Sequence, residues 1–170
     1  NQVLCEGLGH LPLAFQPGTH WRYSLGIDVL GRLIEVISGQ PLDVFFQERL
    51  FKPLGMVDTG FFVPADKSDR VATVYGHPEP DQGLLRMDQI KAHTTAPSYL
   101  SGGGGLVSTM DDYARFAQML VNGGVLDGVR ILSPRTVKLY SQNHAPAEAL
   151  PYGFAANDLY HAGYGYSLGT

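Results

Sequence analysis

The run Gln16-Pro17-Gly18-Thr19-His20-Trp21-Arg22-Tyr23-Ser24-Leu25-Gly26 decides how the rest of this chain reads. Pro17-Gly18 is a turn signal, because proline presets its φ and glycine tolerates the left-handed conformation that follows. The turn delivers the chain to Trp21 and Tyr23. Ser24 then reads as an N-cap, ahead of Leu25, Ile27, Val29, Leu30, Leu33, Ile34, Val36 and Ile37. Asp28, Arg32 and Glu35 fall at i, i+4 and i+7, one narrow polar stripe. A helix apolar everywhere but one stripe is expected to be largely buried. Gly39 ends it as a left-handed C-cap would. A tyrosine at a turn-to-helix junction is well placed to do chemistry.

Upstream, residues 1–15 are weakly patterned, and Leu11, Leu13 and Phe15 alternate around Pro12 as in an extended approach. Downstream, Leu42 to Phe51 reads as a second amphipathic helix, stopped by Pro53 and Gly55. The β-branched and aromatic run Val57 to Val63 reads as a short strand, and Val71 to Tyr75 as another. His77 to Pro97 shows no sustained period and reads as a long loop. Ser98-Tyr99-Leu100-Ser101-Gly102-Gly103-Gly104-Gly105-Leu106 follows, and its four glycines let a backbone approach something closely. A helix comes next, with Ser108 and Asp111 as a capping-box-like pair and Asn122-Gly123-Gly124 as its end. Leu126-Asp127-Gly128-Val129 reads as a hairpin turn. Ser133-Pro134 caps a short helix running to about Gln142. Tyr152 to Thr170 alternates aromatics and glycines and reads as a strand.

Composition narrows the function. The 170 residues suffice for one domain with a sizeable core. A formal charge of −4 and the lack of Lys/Arg runs leave no electrostatic footprint for nucleic acid. No apolar run approaches the roughly 18 residues of a membrane span. Cys5 is the only cysteine, which excludes an intrachain disulfide and leaves the compartment open. The chain starts at Asn1 without a signal-peptide pattern or an initiator Met, so it is expected to be a piece of something longer.

Several motifs fail on inspection. The six histidines include no pair three to five residues apart, which argues against a metal site. The four glycines lack the Lys-Ser or Lys-Thr of a phosphate loop, since Leu106-Val107 follows. Close packing and lining a site both stay open for them. Gly165-Tyr166-Ser167-Leu168-Gly169 matches Gly-x-Ser-x-Gly formally, but no Asp and His follow it.

Four segments then carry a resemblance. They are Phe15-Gln16-Pro17-Gly18-Thr19-x-Trp21-x-Tyr23-Ser24 running into Gly26-Ile27-Asp28-Val29-Leu30-Gly31; Pro53-Leu54-Gly55-Met56-x-Asp58-Thr59; the glycine run from Ser101 through Phe116; and Leu132-Ser133-Pro134. In this order they resemble the serine hydrolases related to class C β-lactamases, with the D-Ala-D-Ala carboxypeptidases and family VIII carboxylesterases. The resemblance spans essentially the whole chain, residues 1–170, as one partial domain. It implies an α+β, penicillin-binding-protein-like fold, here a helical subdomain plus a few antiparallel strands. It implies an acyl-enzyme mechanism with no metal or organic cofactor. It places Tyr23 as the catalytic base of a Tyr-x-Asn motif, and Tyr99, Ser101 and Gly102 in the substrate pocket. Small-molecule esters, lactones or lactams are the implied substrates.

The departures are informative. Leu25 stands where the family has Asn, a residue that contacts ligand amides, and this tilts the expectation toward esters. None of the nine serines is followed by lysine three residues on, so the family's Ser-x-x-Lys nucleophile is missing. A Lys-Thr-Gly motif is missing too. His161-Ala162-Gly163 is a candidate for its His-Gly-Gly-like variant, with the bland reading of His161 preferred. A free tyrosine has a pKa near 10, and lowering it by three units takes roughly 4 kcal/mol, usually from a nearby cation. The family's cation is the missing lysine, so the tyrosine is expected to act as a base only in an intact protein.

Overall fold

The computed structural model describes residues 1–76, 83–87, 93–145 and 166–168. The described residues form an α+β arrangement, in which helices dominate and two small antiparallel hairpins lie between them. The turn ahead of the main helix forms as the sequence requires. Gly18 sits at φ 85° and Thr19 N–H donates to the Gln16 carbonyl at 3.1 Å. Proline at the second position and a left-handed glycine at the third make this a type II turn.

Helix α1 spans Gln2–Leu8 and was not legible in the sequence. Its support is tertiary: Asn1 Nδ2 donates to Glu35 Oε1 at 3.0 Å, and Arg32 reaches the Gln2 carbonyl oxygen Oε1 at 3.5 Å. Helix α2 spans Gly26–Ser38 and ends at Gly39, left-handed at φ 69°. Ser24 is not its cap. Leu25 occupies that place at φ −80°, ψ 16°, bending straight into the helix without a side-chain cap bond.

The expected burial of α2 is also corrected. Its buried residues are Asp28 and Gly31, Ile34 is half-buried, and Ile27, Val29, Leu30, Leu33, Val36 and Ile37 are 42% to 77% exposed. The helix packs through its smallest residue. A Cβ added to Gly31 would lie 3.1 Å from Leu42 and 3.5 Å from the Gly102 Cα. Close backbone approach there turns the branched aliphatic side chains outward.

Helix α3, Leu42–Phe46, continues through a π turn, Gln47–Phe51, into α4, Lys52–Leu54. Pro53 therefore does not stop the helix as expected. A proline in an α-helix clashes with the carbonyl four residues back, and the widened turn just before it accommodates the ring. The helix ends one residue later. Gly55 sits at φ 67°, Met56 N–H donates to Phe51 O at 2.8 Å, and Gly55 N–H to Lys52 O at 3.1 Å. These two bonds define a Schellman motif, whose accompanying apolar contact is Met56 with Phe51. Both residues belong to the main core cluster with Leu54 and Met119, flanked by Phe46, Leu50, Phe116, Leu120, Leu126 and Ile131.

Residues 57–63 are not a strand. They make one antiparallel bridge, Gly60 with Val107, and one further backbone bond, Val63 N–H to His93 O at 2.7 Å, while side chains tie Asp58 and Thr59. Asp112, 4% exposed, accepts from Asp58 N–H at 2.7 Å and Thr59 Oγ1 at 2.8 Å. Asp58 in turn pairs with Lys67 at 2.5 Å and Arg70 at 2.8 Å, both on a 3-10 helix at Ala65–Arg70. Side-chain anchors have replaced the ladder bonds that the residue types suggested.

Strand β1, Val74–Gly76, pairs with β2, Leu85–Met87, with Tyr75 opposite Arg86. The second strand interrupts the expected long loop, and three residues are too few to show a period. Helix α5 spans Met110–Val121. Its cap is Thr109, which accepts from Asp112 N–H at 3.2 Å, one residue beyond the expected Ser108. Ser108 instead shares a hydrogen bond with Thr59 at 2.8 Å. The buried Asp112 carboxylate fixes the phase of this helix, and Thr109 is the hydroxyl that this phase brings to the end.

The remaining elements match expectation. Asn122-Gly123-Gly124 closes α5 with a second Schellman pair, Gly124 N–H to Met119 O at 2.8 Å and Gly123 N–H to Leu120 O at 3.0 Å. Strands β3, Val125–Leu126, and β4, Val129–Arg130, flank Asp127 at φ 48° and Gly128 at φ 80°, a type I′ hairpin. Helix α6, Pro134–Tyr140, starts with Ser133 accepting from Thr136 N–H at 3.0 Å. Arg115 clamps this region to the first core: its Nε donates to the Leu54 carbonyl and its guanidinium pairs with Asp127 at 2.6 Å. A cation at the carbonyl end of a helix is electrostatically favourable.

Most of the expected C-terminal strand, with His161, lies outside the described residues. Residues 166–168 are described and are not in a strand. They are tied to the end of α6: His144 N–H donates to Tyr166 O at 2.8 Å and Tyr166 N–H to Asn143 Oδ1 at 2.9 Å.

Candidate active site

The glycine run lies against the N-terminal turn of α2, and Asp28 is the reason for its position. The carboxylate is 6% exposed. Its Oδ1 accepts from Tyr99 Oη at 2.6 Å, Ser101 Oγ at 2.7 Å and Gly103 N–H at 3.3 Å. Burying a carboxylate is costly unless hydrogen bonds replace its water, and these donors supply them. The backbone contact is equally close. A Cβ on Gly102 would lie 2.5 Å from the Ile27 carbonyl oxygen, and one on Gly103 would lie 2.9 Å from Asp28 Oδ2. Neither position has room for a side chain.

Three of the four expected site residues therefore converge. Tyr99, Ser101 and Gly102 meet at Asp28 and Ile27. Tyr23 stands three residues ahead of α2 with half its side chain exposed. Two residues before it, Trp21 packs against Tyr166 with the rings tilted by 58° and their centroids 5.1 Å apart, which ties the opening stretch to residues 166–168. The same stretch is closed by Phe15 against His20 at 5.1 Å and Thr19 Oγ1 to Gln16 O at 2.7 Å.

Sequence reasoning missed Asp28, grouping it with Arg32 and Glu35 as a solvent stripe. Arg32 and Glu35 do pair with each other at 3.2 Å. A lone acid in the first turn of an otherwise apolar helix was the available signal. The burial of Asp112 was likewise missed.

Electrostatics fixes the role of Tyr99. Burial, then the hydrogen bond to Asp28, pushes the Tyr99 hydroxyl up to about 12. Tyr99 thus stays protonated as a donor and cannot serve as a base near neutrality. The Tyr99 and Ser101 hydrogen bonds, against the opposing effect of burial, hold the Asp28 carboxyl below its ordinary 3.8. The Arg70 and Lys67 hydrogen bonds hold Asp58 at about 2.

A group whose pKa is depressed by folding contributes stability above its unfolded value and loses it as pH falls through the folded value. Both acids act in this direction. The urea midpoint should be flat from pH 6 to about 4 and fall between about 4 and 2. Asp28→Asn and Asp58→Asn should each flatten that fall. An unchanged slope in both variants would remove these two carboxylates as its source.

Among the described residues, no group of three or more His, Cys, Asp or Glu could hold a metal ion, and no helix is long and apolar enough to cross a membrane.

Comparison with known proteins shows the family and the fold. A family model described as Beta-lactamase matches residues 1–170. An uncharacterized protein of Mycobacterium tuberculosis (strain CDC 1551 / Oshkosh) is 44% identical over 153 residues, covering 89% of this chain and 38% of that protein. Lovastatin esterase of Penicillium rubens is 34% identical over 150 residues, covering 86% of this chain and 36% of the esterase. Among solved structures, EstCE1, a hydrolase with promiscuous acyltransferase activity, superposes with a TM-score of 0.66 at 32% identity, covering 84% of this chain and 40% of that one. The chain thus spans 36% to 38% of the length of these curated relatives. The formal Gly-x-Ser-x-Gly match at Ser167, a pattern of the nucleophile in α/β-hydrolases, falls with the family match. The chain, matched by the family model from Asn1 to Thr170 and folded like its hydrolase members, belongs to the β-lactamase family.

Proposed function

We propose that this chain is part of a longer serine hydrolase, an esterase that works through an acyl-enzyme. Tyr23 is its general base, and Tyr99, Ser101 and Gly102 line the pocket. Its substrates are small esters of short acyl chains, with lactones and lactams as weaker candidates. A serine oxygen attacks the ester carbonyl, the alcohol departs, and water then releases the acid. Tyr23 takes the serine proton, and a lysine from the same motif as the serine assists it. Serine and lysine belong to a part of the polypeptide outside these 170 residues, since no Ser-x-x-Lys occurs here.

The observation that carries this reading is Tyr23 itself. It stands at the head of α2, after a type II turn and before Ser24-Leu25, and is 55% exposed. Leu25 supports esters over lactams, because an aliphatic side chain cannot hydrogen-bond a ligand amide. The 34% identity to an esterase supports the same choice.

The test is turnover by the full-length polypeptide. It should hydrolyse p-nitrophenyl acetate with a kcat/KM well above that for a chromogenic cephalosporin. A fluorophosphonate should label the full-length protein and leave the 170-residue chain unlabelled. Faster cephalosporin turnover, or labelling of the short chain at a single serine, would sink the reading.

A further inference from the structure

We propose that Asp28 is a positioning residue for this ester hydrolysis: it fixes the Tyr99 ring and the backbone of residues 101–103 onto the helix that Tyr23 heads, and so sets which acyl chains the site accepts. The proposal rests on the reading of Tyr23 as the base.

Three observations lead there. First, the donors to Asp28 Oδ1 are a phenol, a hydroxyl and a backbone N–H, all from residues 99–103. A helix and a loop can pack through glycines alone, as Gly31 and Gly102 do here. A buried acid is not needed for that contact and is costly to keep. What it adds is register: a carboxylate accepting from positions 99, 101 and 103 holds that segment in one place along the helix.

Second, Tyr99 is anchored at its hydroxyl while the residue remains 38% exposed. A ring held by its tip can form a wall of fixed orientation. Third, the anchor lies five residues after Tyr23, in the first turn of the helix Tyr23 precedes. Base and wall therefore move together, and a bound acyl group meets both at a fixed spacing. Misplacement by about 1 Å can cost a site much of its rate.

The experiment uses the full-length polypeptide and two substrates, p-nitrophenyl acetate and p-nitrophenyl hexanoate. The variants are Asp28→Asn and Tyr99→Phe. Tyr99→Phe removes only the anchoring hydroxyl from a partly exposed residue, so it decides the matter if Asp28→Asn fails to fold. Each variant should change KM and shift the acetate-to-hexanoate ratio of kcat/KM by about fivefold or more, a size typical of pocket discrimination.

A merely structural role gives a different pattern. Lost active protein lowers kcat equally for both esters and leaves KM and the ratio alone. If Tyr99→Phe leaves both within about twofold, the proposal is overturned. The base reading is judged separately by Tyr23→Phe. If that variant stays active, the base is elsewhere, and the acyl-chain ratio still reports on positioning.

Discussion

Tyr23→Phe in the full-length polypeptide should lower kcat for p-nitrophenyl acetate by about 10²- to 10⁴-fold, the usual contribution of a positioned general base. At about 1.36 kcal/mol per decade, that is roughly 3–5 kcal/mol of transition-state stabilisation. KM should change little, because the phenol contributes to proton transfer and not to holding the ground state. The fold should survive. The residue is 55% exposed, and removing one hydroxyl with its hydrogen bond costs about 0.5–1.5 kcal/mol. A thermal midpoint near wild type with a collapsed kcat is therefore the expected pair of results. A kcat within about threefold of wild type would remove Tyr23 from the base position.

The largest expected loss of stability is at Gly124→Ala. Gly124 sits at φ 92°, where a side chain is strained, and an added Cβ would lie 2.1 Å from the Leu132 carbonyl oxygen. The colliding atom is backbone, so no rotamer change relieves it. The position is also crowded with hydrogen bonds. Gly124 N–H donates to Met119 O, and its carbonyl accepts from Ile131 N–H at 2.9 Å and Leu132 N–H at 3.1 Å. Moving the backbone to make room would loosen the end of α5 and the hairpin together. Strain and broken hydrogen bonds together imply about 3–5 kcal/mol. In a chain of this size that lowers the thermal midpoint by roughly 6–20 °C. Gly128→Ala is the control. It shares a positive φ of 80° but meets no atom within 4 Å, so it should lose far less. Similar losses at both positions would show that φ strain alone, and not the Leu132 contact, sets the cost.

Local features were legible in the sequence because their physics is local. Pro17-Gly18, Gly39, Asp127-Gly128 and Ser133-Pro134 each specify dihedral angles or a capping bond within a few residues, and each forms as written. Errors of one or two residues entered where a tertiary contact chose among neighbours. Thr109 caps α5 in place of Ser108 because the Asp112 carboxylate is already committed to Asp58 and Thr59. Pro53 fails to end its helix because a π turn precedes it. Residues 57–63 have the composition of a strand, but the Asp58 N–H that a ladder would use is taken by an acid 54 positions away.

The candidate site divides the same way. Tyr23, Tyr99, Ser101 and Gly102 came from the order of motifs along the chain. Asp28, which joins three of them, did not, since its partner Tyr99 lies 71 residues downstream. The periodicity of α2 was read correctly as helix and incorrectly as buried. Periodicity reports which residues are apolar, and burial depends on which layers are present to cover them.

The sequence by itself determined the family, the turns at Pro17-Gly18 and Asp127-Gly128, the glycine ends of the helices and the absence of Ser-x-x-Lys. All of these rest on residue identity or on bonds spanning a few positions. Only the tertiary structure decided that a buried carboxylate holds the glycine run against α2, that α1 exists, and that α2 packs through Gly31. Each depends on groups far apart in the chain, and whether a carboxylate is solvated or clasped is set by the donors the fold brings to it.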